Sequence, residues 1–372
     1  MRVDVPSVPW RIASVAWGAG ALVACAGTTH IGGPAADGFG DAGQIDTGAP
    51  IDAGFDVYTL PPSWSGGAAK VLTSGVSAVA IASDTQAVYW QGAGGAIFAC
   101  PLSGCAGGKA TLLSALIGSQ SQLETLVASN GTAVFLTEQG ASLSSVSFSK
   151  PTATSTSYQP DGVNLTAIVS DGNAVYFSGS AISDAGGYGP PFVGSCPFGA
   201  PCTAPATIYQ ATGNDYYGVG PLAVSGSELY FAFSDNEQSS SIVAVPISGG
   251  APRTVCSSQN LYGVQALVVA GGFAYFTSDS GGGSEVYQCP TGGGSPQVYV
   301  NDYAPYALAT DGTNLYWTNF VSTTGTVATC QLGATCTSPF TVADNQDSPY
   351  AITASSSGVY WSTSSGVSGA TR

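Results

Sequence analysis

The chain has 372 residues and a formal net charge of −15, and only 8% of its residues are charged although 44% are hydrophobic. Nucleic-acid binding and attraction to anionic lipid headgroups both need a basic surface, which seven lysines and arginines do not supply. We therefore expect no nucleic-acid partner. Abundant Gly, Ser, Thr, Tyr and Val predict many short strands and tight turns.

The first 24 residues have the pattern of a secretory signal. Two arginines accompany an apolar run over residues 12–24, which is too short to span a bilayer. The run ends in LVAC (22–25), which resembles the lipobox of bacterial lipoproteins. That resemblance implies a signal peptide over 1–24 and a lipid on Cys25, and the alternative is an ordinary secretory peptide. Because Ala26 is not aspartate, it also implies a cell-envelope location in the outer membrane, with membrane contact only through the lipid anchor.

Residues 25–67 are rich in glycine, alanine and aspartate, and we expect them to form a flexible tether after the lipidated cysteine. Their aspartates fall at spacings that fit no EF-hand calcium loop. We therefore predict no cofactor, and structural calcium has no support in the sequence.

From about residue 68 a unit of two paired strands recurs seven times. Each copy has a short apolar run, a turn, and a second run that ends in two aromatic residues, as in ALATDGTNLYWT (307–318). This pattern predicts two antiparallel strands joined by a tight turn. In the second copy Leu136 replaces the second aromatic residue. The first aromatic residues of the copies are Tyr89, Phe135, Tyr176, Tyr230, Tyr275, Tyr316 and Tyr360.

Most copies continue with a third apolar segment, as in IVAVP (242–246), and a fourth after a glycine-rich turn, as in SGGAPRTVC (248–256). Four strands in about 45 residues are typical of a propeller blade. The sequence therefore predicts an all-β fold, a seven-bladed β-propeller of four-stranded blades over residues 68–372. The last copy stops after its third strand, and we expect the spare N-terminal strand AAKVLTSG (68–75) to complete that blade and close the ring.

The segment ATDGTNLYWTN (309–319) resembles the YWTD repeats of receptor propellers, and the repeats as a whole are similar to those of lipid-anchored bacterial propellers. The match is a pattern only, because YWTD propellers have one blade fewer and Asn319 stands in place of their aspartate. Since side chains alternate across a strand, Tyr316 and Trp317 should point to opposite sides of their sheet and pack against the neighbouring blades.

Six cysteines form three close pairs at the same place in their repeats, in the turn between the third and fourth strands. An envelope protein meets an oxidising compartment, so we expect a disulfide across each of these turns. A bond between Cys256 and Cys289 is left open. Zinc is the rival interpretation, but the repeats contain no histidine and the spacing is wider than CxxC. The expected pairs are Cys100–Cys105, Cys196–Cys202 and Cys330–Cys336.

The repeat region has few of the side chains that enzymes use. The single histidine, His30, lies in the tether, and no GxSxG, HExxH or complete P-loop motif occurs. GCAGGKA (104–110) comes nearest to a P-loop, but it is one residue short and lies in a cysteine-bearing turn. We expect no catalytic residues and no enzyme. The alternative is a carbohydrate-active propeller lyase or hydrolase that uses carboxylates or tyrosine.

Tyrosine, asparagine and aspartate are concentrated in the links that join one blade to the next. In a propeller these links share one face with the connections between second and third strands. Aromatic rings stack on a sugar or peptide while polar groups fix its orientation, so this face predicts a monomeric binding or scaffold module for a protein or glycan partner. The alternative is that the tyrosines only plug the channel mouth. The expected binding residues are Asp215, Tyr216, Tyr217, Tyr262, Asp302, Tyr303, Tyr306, Asp347 and Tyr350.

Overall fold

The structure is a computed structural model, and it describes residues 66–92, 95–115, 125–137, 142–158, 163–182, 188–212, 216–235, 240–258, 261–279, 284–333 and 335–372. The predicted signal peptide, Cys25 and the tether up to residue 65 lie outside these ranges, so the lipid anchor and the domain boundaries stay predictions. Within the described ranges, no helix has both the length and the apolar character needed to cross a membrane.

The described strands form seven four-stranded antiparallel sheets, which we number as blades 1 to 7 in chain order. Blades 1 to 3 contain β2 (Ala78–Ser83), β3 (Ala87–Gly92), β4 (Ile97–Pro101) and β5 (Thr111–Ser114); β6 (Leu126–Ser129), β7 (Thr132–Leu136), β8 (Leu143–Ser147) and β9 (Lys150–Tyr158); and β10 (Val163–Ser170), β11 (Ala174–Ile182), β12 (Tyr188–Pro197) and β13 (Ala206–Gln210). A single turn of 3-10 helix, η1 (Ala106–Gly108), lies between β4 and β5.

Blades 4 to 6 repeat the same order of strands. They contain β14 (Tyr216–Ser225), β15 (Glu228–Asp235), β16 (Ser240–Pro246) and β17 (Arg253–Ser258); β18 (Tyr262–Ala270), β19 (Phe273–Asp279), β20 (Ser284–Pro290) and β21 (Gln297–Val300); and β22 (Pro305–Thr310), β23 (Asn314–Asn319), β24 (Gly325–Gln331) and β25 (Phe340–Gln346). Blade 7 contains β26 (Ile352–Ser355), β27 (Gly358–Thr363), β28 (Gly366–Thr371) and β1 (Lys70–Ser74).

Blade 7 joins the two ends of the repeat region. Its outer strand β1 pairs antiparallel with β28, with Lys70 opposite Gly369 and Ser74 opposite Gly366. This is the arrangement that the spare strand of the sequence predicted, and it covers the edge that β28 would otherwise expose.

Each pair of neighbouring blades encloses one apolar cluster, and these seven clusters include the contact of blade 7 with blade 1. Trp317 packs towards blade 5, beside Tyr275 and Tyr299, whereas Tyr316 packs towards blade 7 with Trp361. The prediction that the two aromatics of a copy serve opposite interfaces is therefore confirmed. Burial of such large rings makes blade-to-blade packing the main apolar contribution to stability.

The alignment of the second copy is wrong by one residue. Phe135 lies opposite Leu126, the position that the second aromatic residue takes in the other blades, as Trp317 lies opposite Leu308. Phe135 therefore faces blade 1, while Val134 and Leu136 face blade 3. A slip of one residue moves every side chain of a strand to the other side of its sheet, so the apparent substitution by Leu136 was an artefact of register.

The three predicted disulfides are present, with Cα–Cα distances of 4.9, 5.6 and 6.1 Å for Cys100–Cys105, Cys196–Cys202 and Cys330–Cys336. Cys256 and Cys289, which the sequence left open, also pair, at 6.4 Å between Cα atoms. That bond joins β17 of blade 4 to β20 of blade 5. Disulfides indicate an extracellular or periplasmic location.

Antiparallel order gives the ring two distinct faces. The turns between first and second strands and between third and fourth strands lie at one end of the channel, which we call the turn face. The links between blades and the connections between second and third strands lie at the other end, which we call the link face.

Candidate functional site

The links that enter blades 6 and 7 have the same backbone geometry. Ala304 and Ser348, which precede Pro305 and Pro349, have φ of 56° and 51°. Non-glycine residues rarely adopt positive φ, so this strained conformation is held in place by the surrounding fold. In each link the proline is followed by a tyrosine, Tyr306 within β22 and Tyr350 just before β26. The repeated conformation therefore sets the position of a tyrosine at the link face.

The two tyrosines form an aromatic cluster with one further ring. The Tyr306 hydroxyl donates to the Tyr350 hydroxyl at 3.2 Å, and the ring centroids are 5.0 Å apart. Phe320 lies 5.3 Å from the Tyr306 ring and 6.0 Å from the Tyr350 ring, with 42% of its surface exposed. Both tyrosines are half-buried. The structure thus brings together two predicted residues and Phe320, which the sequence analysis missed.

Burial raises the pKa of Tyr306, and its hydrogen bond to Tyr350 and the proximity of that phenol raise it further. The Tyr306 phenol is therefore neutral at physiological pH. A phenol that holds its proton this firmly is a poor general base, but it remains a good hydrogen-bonding group with an apolar ring.

Asp302 fixes the link that enters blade 6. Its Oδ2 accepts hydrogen bonds from Trp317 Nε1 and Asn319 Nδ2, both at 2.8 Å, and its Oδ1 accepts from the Tyr303 amide at 2.8 Å. In blade 7 the equivalent Gln346 accepts from Trp361 Nε1 at 2.8 Å. The shared role shows that Asp302 caps a buried indole, which anchors the link beneath the aromatic cluster.

The same position explains an unpaired group in blade 1. Asp302 and Gln346 each lie six residues before the aliphatic residue that the inner strand of their blade contributes to the central channel. In blade 1 the residue at this position is Gly75. Glycine has no side chain to accept a hydrogen bond, and Trp90 Nε1 is buried with no hydrogen-bond partner among the described residues.

Tyr303 and Asp347 lie at the surface of the link face. Tyr303 is 77% exposed. The exposed Asp347 accepts hydrogen bonds from the hydroxyls of Ser364 and Ser348. Of the nine predicted binding residues, five therefore lie at the link face of blades 6 and 7: Asp302, Tyr303, Tyr306, Asp347 and Tyr350.

The structure describes the other four predicted residues only in part. Tyr216 and Tyr217 begin β14 and Tyr262 begins β18, which places their backbone at the link face, but their side chains are outside the description. Asp215 lies outside the described residues altogether.

The central channel contains a cavity of about 400 Å³. Each blade contributes one equivalent aliphatic side chain of its inner strand, and polar Ser170, Thr310 and Thr353 lie nearer the turn face. The described lining contains no ionisable side chain, so these walls offer no acid or base. The aliphatic ring consists of Ile81, Leu126, Ile168, Leu222, Leu267, Leu308 and Ile352.

The turn face holds a motif that the sequence analysis also missed, an aspartate five residues before the first aromatic residue. Asp311 accepts hydrogen bonds from the amides of Thr313 and Asn314, both at 2.8 Å, and from the Tyr316 hydroxyl at 2.6 Å. Asp171 makes the same bonds in blade 3. The recurring SD and TD dipeptides in the turns were the available signal.

These carboxylates are held ionised. Burial acts to raise the pKa of Asp311, but hydrogen bonds from Tyr316 and the turn amides, together with the charge of Arg372, outweigh it and lower the pKa below 3.8. Burial and the bond to Asp311 raise the pKa of Tyr316 to about 12. Arg372 Nη2 lies 2.7 Å from Asp311 Oδ2, so the end of blade 7 is tied to the turn of blade 6.

Among the residues for which the structure gives side chains, no three of His, Cys, Asp and Glu meet in a geometry that could hold a metal ion. The described carboxylates of the turn face are each engaged by backbone, tyrosine or arginine partners. Their arrangement stabilises turns.

No protein-family model and no curated protein sequence matches the chain. Several solved structures do match the chain. A puromycin-hydrolyzing peptidase of Mycobacterium tuberculosis superposes with a TM-score of 0.58 and 15% identity, over 78% of this chain and 50% of the peptidase, so the chain spans about half the length of that protein. The computationally designed Ika8 protein matches with a TM-score of 0.51 and 15% identity, over 81% of this chain and 99% of Ika8. A chain of a nidogen/laminin complex matches with a TM-score of 0.44 and 14% identity, over 59% of this chain and 81% of that chain. At these identities the first two similarities show the propeller fold alone.

Proposed function

We propose that this protein is a non-catalytic cell-envelope lipoprotein whose propeller binds a partner at the link face of blades 6 and 7. The observation that carries the proposal is the aromatic cluster of Tyr306, Tyr350 and Phe320. The Phe320 amide donates to the carbonyl of Ala304 at 2.9 Å, so the exposed Tyr303 lies in the link next to this cluster. Monomeric proteins rarely leave large aromatic rings exposed together unless they form an interaction site.

The exposure of these aromatic rings favours a binding role over the alternative that they only plug the channel mouth. Phe320 is 42% exposed and Tyr303 is 77% exposed, whereas a ring that only seals a channel would be buried. The half-buried tyrosines support Phe320 from beneath, and Asp302 holds the link that carries Tyr303. Aromatic side chains on a rigid base lose little conformational entropy when a ligand binds.

A carbohydrate-active enzyme is the second candidate. The hydrogen-bonded hydroxyls of Tyr306 and Tyr350 at the channel mouth are the feature that favours it. The raised pKa of Tyr306 opposes a role as base, and Asp302 is already engaged by three donors. Calcium-dependent turnover of a polysaccharide panel, with products detected, would favour this candidate over simple binding.

The binding proposal is tested by affinity capture from envelope extract with the purified full chain. We expect Tyr306→Ser/Tyr350→Ser to lose the captured partner while its thermal unfolding stays cooperative. Phe340→Ala is the matched control, because Phe340 is 43% exposed but begins β25 at the turn face. Since the double variant removes half-buried rings, Tyr303→Ala serves as a second variant that leaves the fold intact. Equal capture by all variants would contradict the proposal.

The envelope location has a separate test. The four disulfides fit a protein that folds outside the cytoplasm. We propose that Cys25 carries the lipid and that the acylated protein resides in the outer membrane. Mass spectrometry of the N-terminal peptide should show an acylated Cys25, and Cys25→Ser should release the protein from membrane fractions. A wild-type N-terminus without lipid would contradict the anchor but not the binding site.

A further inference from the structure

The cationic side chains of the propeller all belong to one face. Two of the seven lysines and arginines precede residue 12, and the other five are described. Each of the five begins a fourth strand, lies in a turn between third and fourth strands, or follows the end of a third strand, so all five belong to the turn face. They are Lys70, Lys109, Lys150, Arg253 and Arg372.

The described acidic side chains, unlike the cationic ones, lie on both faces of the propeller. On the turn face Glu228 pairs with Arg253 at 2.7 Å and Asp311 with Arg372 at 2.7 Å. The described part of the link face has no cation and no ion pair. Strands β15 and β19 also end at this face, in Asp235 and Asp279. The described acidic side chains of the link face are Glu285, Asp302, Asp344 and Asp347.

We propose that the link face of blades 6 and 7 docks a segment of a partner protein that carries lysine or arginine. A cation of that segment lies over the exposed ring of Phe320, whose face attracts it. Its N–H groups donate to Asp347, in the link whose Ser348 amide donates to the carbonyl of Val321, the residue after Phe320, at 3.3 Å. The acidic surroundings raise the local concentration of such a segment and repel anionic partners. This inference rests on the proposed function and specifies its partner.

Charge complementarity selects this partner over a neutral glycan. The C–H face of a sugar would stack on Phe320, but a neutral sugar would gain little from four carboxylates that face no cation. A divalent metal ion would need several converging ligands, and the described side chains provide no such group.

The test measures binding of fluorescein-labelled hexa-arginine to the purified full chain by fluorescence anisotropy. Labelled hexa-glutamate and a labelled neutral hexasaccharide of β-linked glucose are the comparison probes. We expect saturable binding of hexa-arginine alone, weakened about 10-fold between about 0.05 and about 0.5 M NaCl because salt screens exposed charges. Phe320→Ala and Asp347→Asn should each weaken it about 5-fold, through the lost ring face and the lost charge.

Two control variants distinguish an effect at the link face from the loss of any exposed ring and from a change in net charge. Phe340→Ala removes an equally exposed ring from the turn face, and Asp52→Asn changes the net charge as Asp347→Asn does. Both should bind hexa-arginine within about 2-fold of wild type, since Phe340 lies at the turn face and Asp52 precedes the repeats in the sequence. Equal affinity in all variants, or no binding of hexa-arginine, overturns the inference. If the glucose hexasaccharide binds instead and Phe320→Ala abolishes that binding, the cationic partner is wrong and the proposed binding module stands.

Discussion

The two faces of the propeller use similar residues in different ways. On the turn face, aspartates and tyrosines bond to each other and to turn amides, arginines neutralise two of the carboxylates, and three disulfides cross the turns. On the link face of blades 6 and 7, Tyr303, Phe320 and Asp347 project to the surface. Residue type alone therefore does not identify a functional site. Groups whose hydrogen-bond partners lie within the fold serve structure, whereas exposed groups are the candidates for recognition.

The largest expected effect is on the disulfide that joins blades 4 and 5. Removing the bond by Cys256→Ser/Cys289→Ser should lower the free energy of unfolding by about 4 kcal/mol, because it closes a loop with a sequence separation of 33. The matched variant Cys100→Ser/Cys105→Ser, with a separation of 5, should lose only about 2 kcal/mol. Denaturant titration measures both. Equal losses would show that loop closure does not set the contribution of these bonds.

Asp311→Ala should lower the free energy of unfolding by about 2–3 kcal/mol, since it leaves the Tyr316 hydroxyl, two amides and Arg372 without their acceptor. Asp347→Ala is the link-face counterpart and should change it by less than about 0.5 kcal/mol, as surface substitutions usually do. Thermal unfolding of both proteins gives the comparison. A large loss for Asp347→Ala would mean that the link face is as interlocked as the turn face.

Acid should weaken the turn face first. The pKa of Asp311 lies below its ordinary value of 3.8 because hydrogen bonds and Arg372 outweigh burial. The pKa of Asp171 is lowered because hydrogen bonds from turn amides and Tyr176 outweigh burial. Carboxylates with a lowered folded pKa stabilise the fold above the unfolded value, and this stability is lost as pH falls from about 4 through the folded pKa. The melting temperature of wild type should therefore fall below about pH 4, and Asp311→Asn should show a shallower fall. A variant that melts in parallel with wild type across this range would exclude Asp311 from the transition.

The smallest effect on stability belongs to the link face. Tyr306→Phe removes one half-buried hydroxyl bond and should cost less than about 1 kcal/mol. Its effect on partner affinity should exceed its effect on melting, because the hydroxyl stands at the proposed site. Calorimetry of the variant and of Tyr275→Phe, which loses a turn-face bond from the Gly333 amide, gives the comparison. A change confined to melting would assign Tyr306 to packing.

The repeats predicted the fold because strand alternation and turn residues are local signals. The register of Phe135 escaped prediction, since it depends on which residue of β6 lies opposite, and aromatic residues alone do not reveal a one-residue slip. The Cys256–Cys289 bond also escaped, because it depends on how two blades pack and the two cysteines occupy different strands of their repeats.

The candidate site was predicted in part. Link composition identified Tyr306 and Tyr350 as neighbours at one face, and the structure places their hydroxyls 3.2 Å apart. Composition could not show that Asp302 caps Trp317, because that role depends on the path of the link over the buried indole. Phe320 was missed because it follows the repeated segment, although Ser364 at the equivalent place in blade 7 is small and polar. An aromatic residue where its repeat equivalent is small was the available signal.

Binding at the link face is tested most directly by the affinity of the captured partner for three full-length proteins: wild type, Tyr303→Ala/Phe320→Ala and Phe340→Ala. We expect the link-face double variant to lose at least about 10-fold in affinity with its melting temperature nearly unchanged, whereas Phe340→Ala should bind as wild type does. Wild-type affinity in the double variant, or an equal loss in Phe340→Ala, would contradict the assignment of binding to the link face.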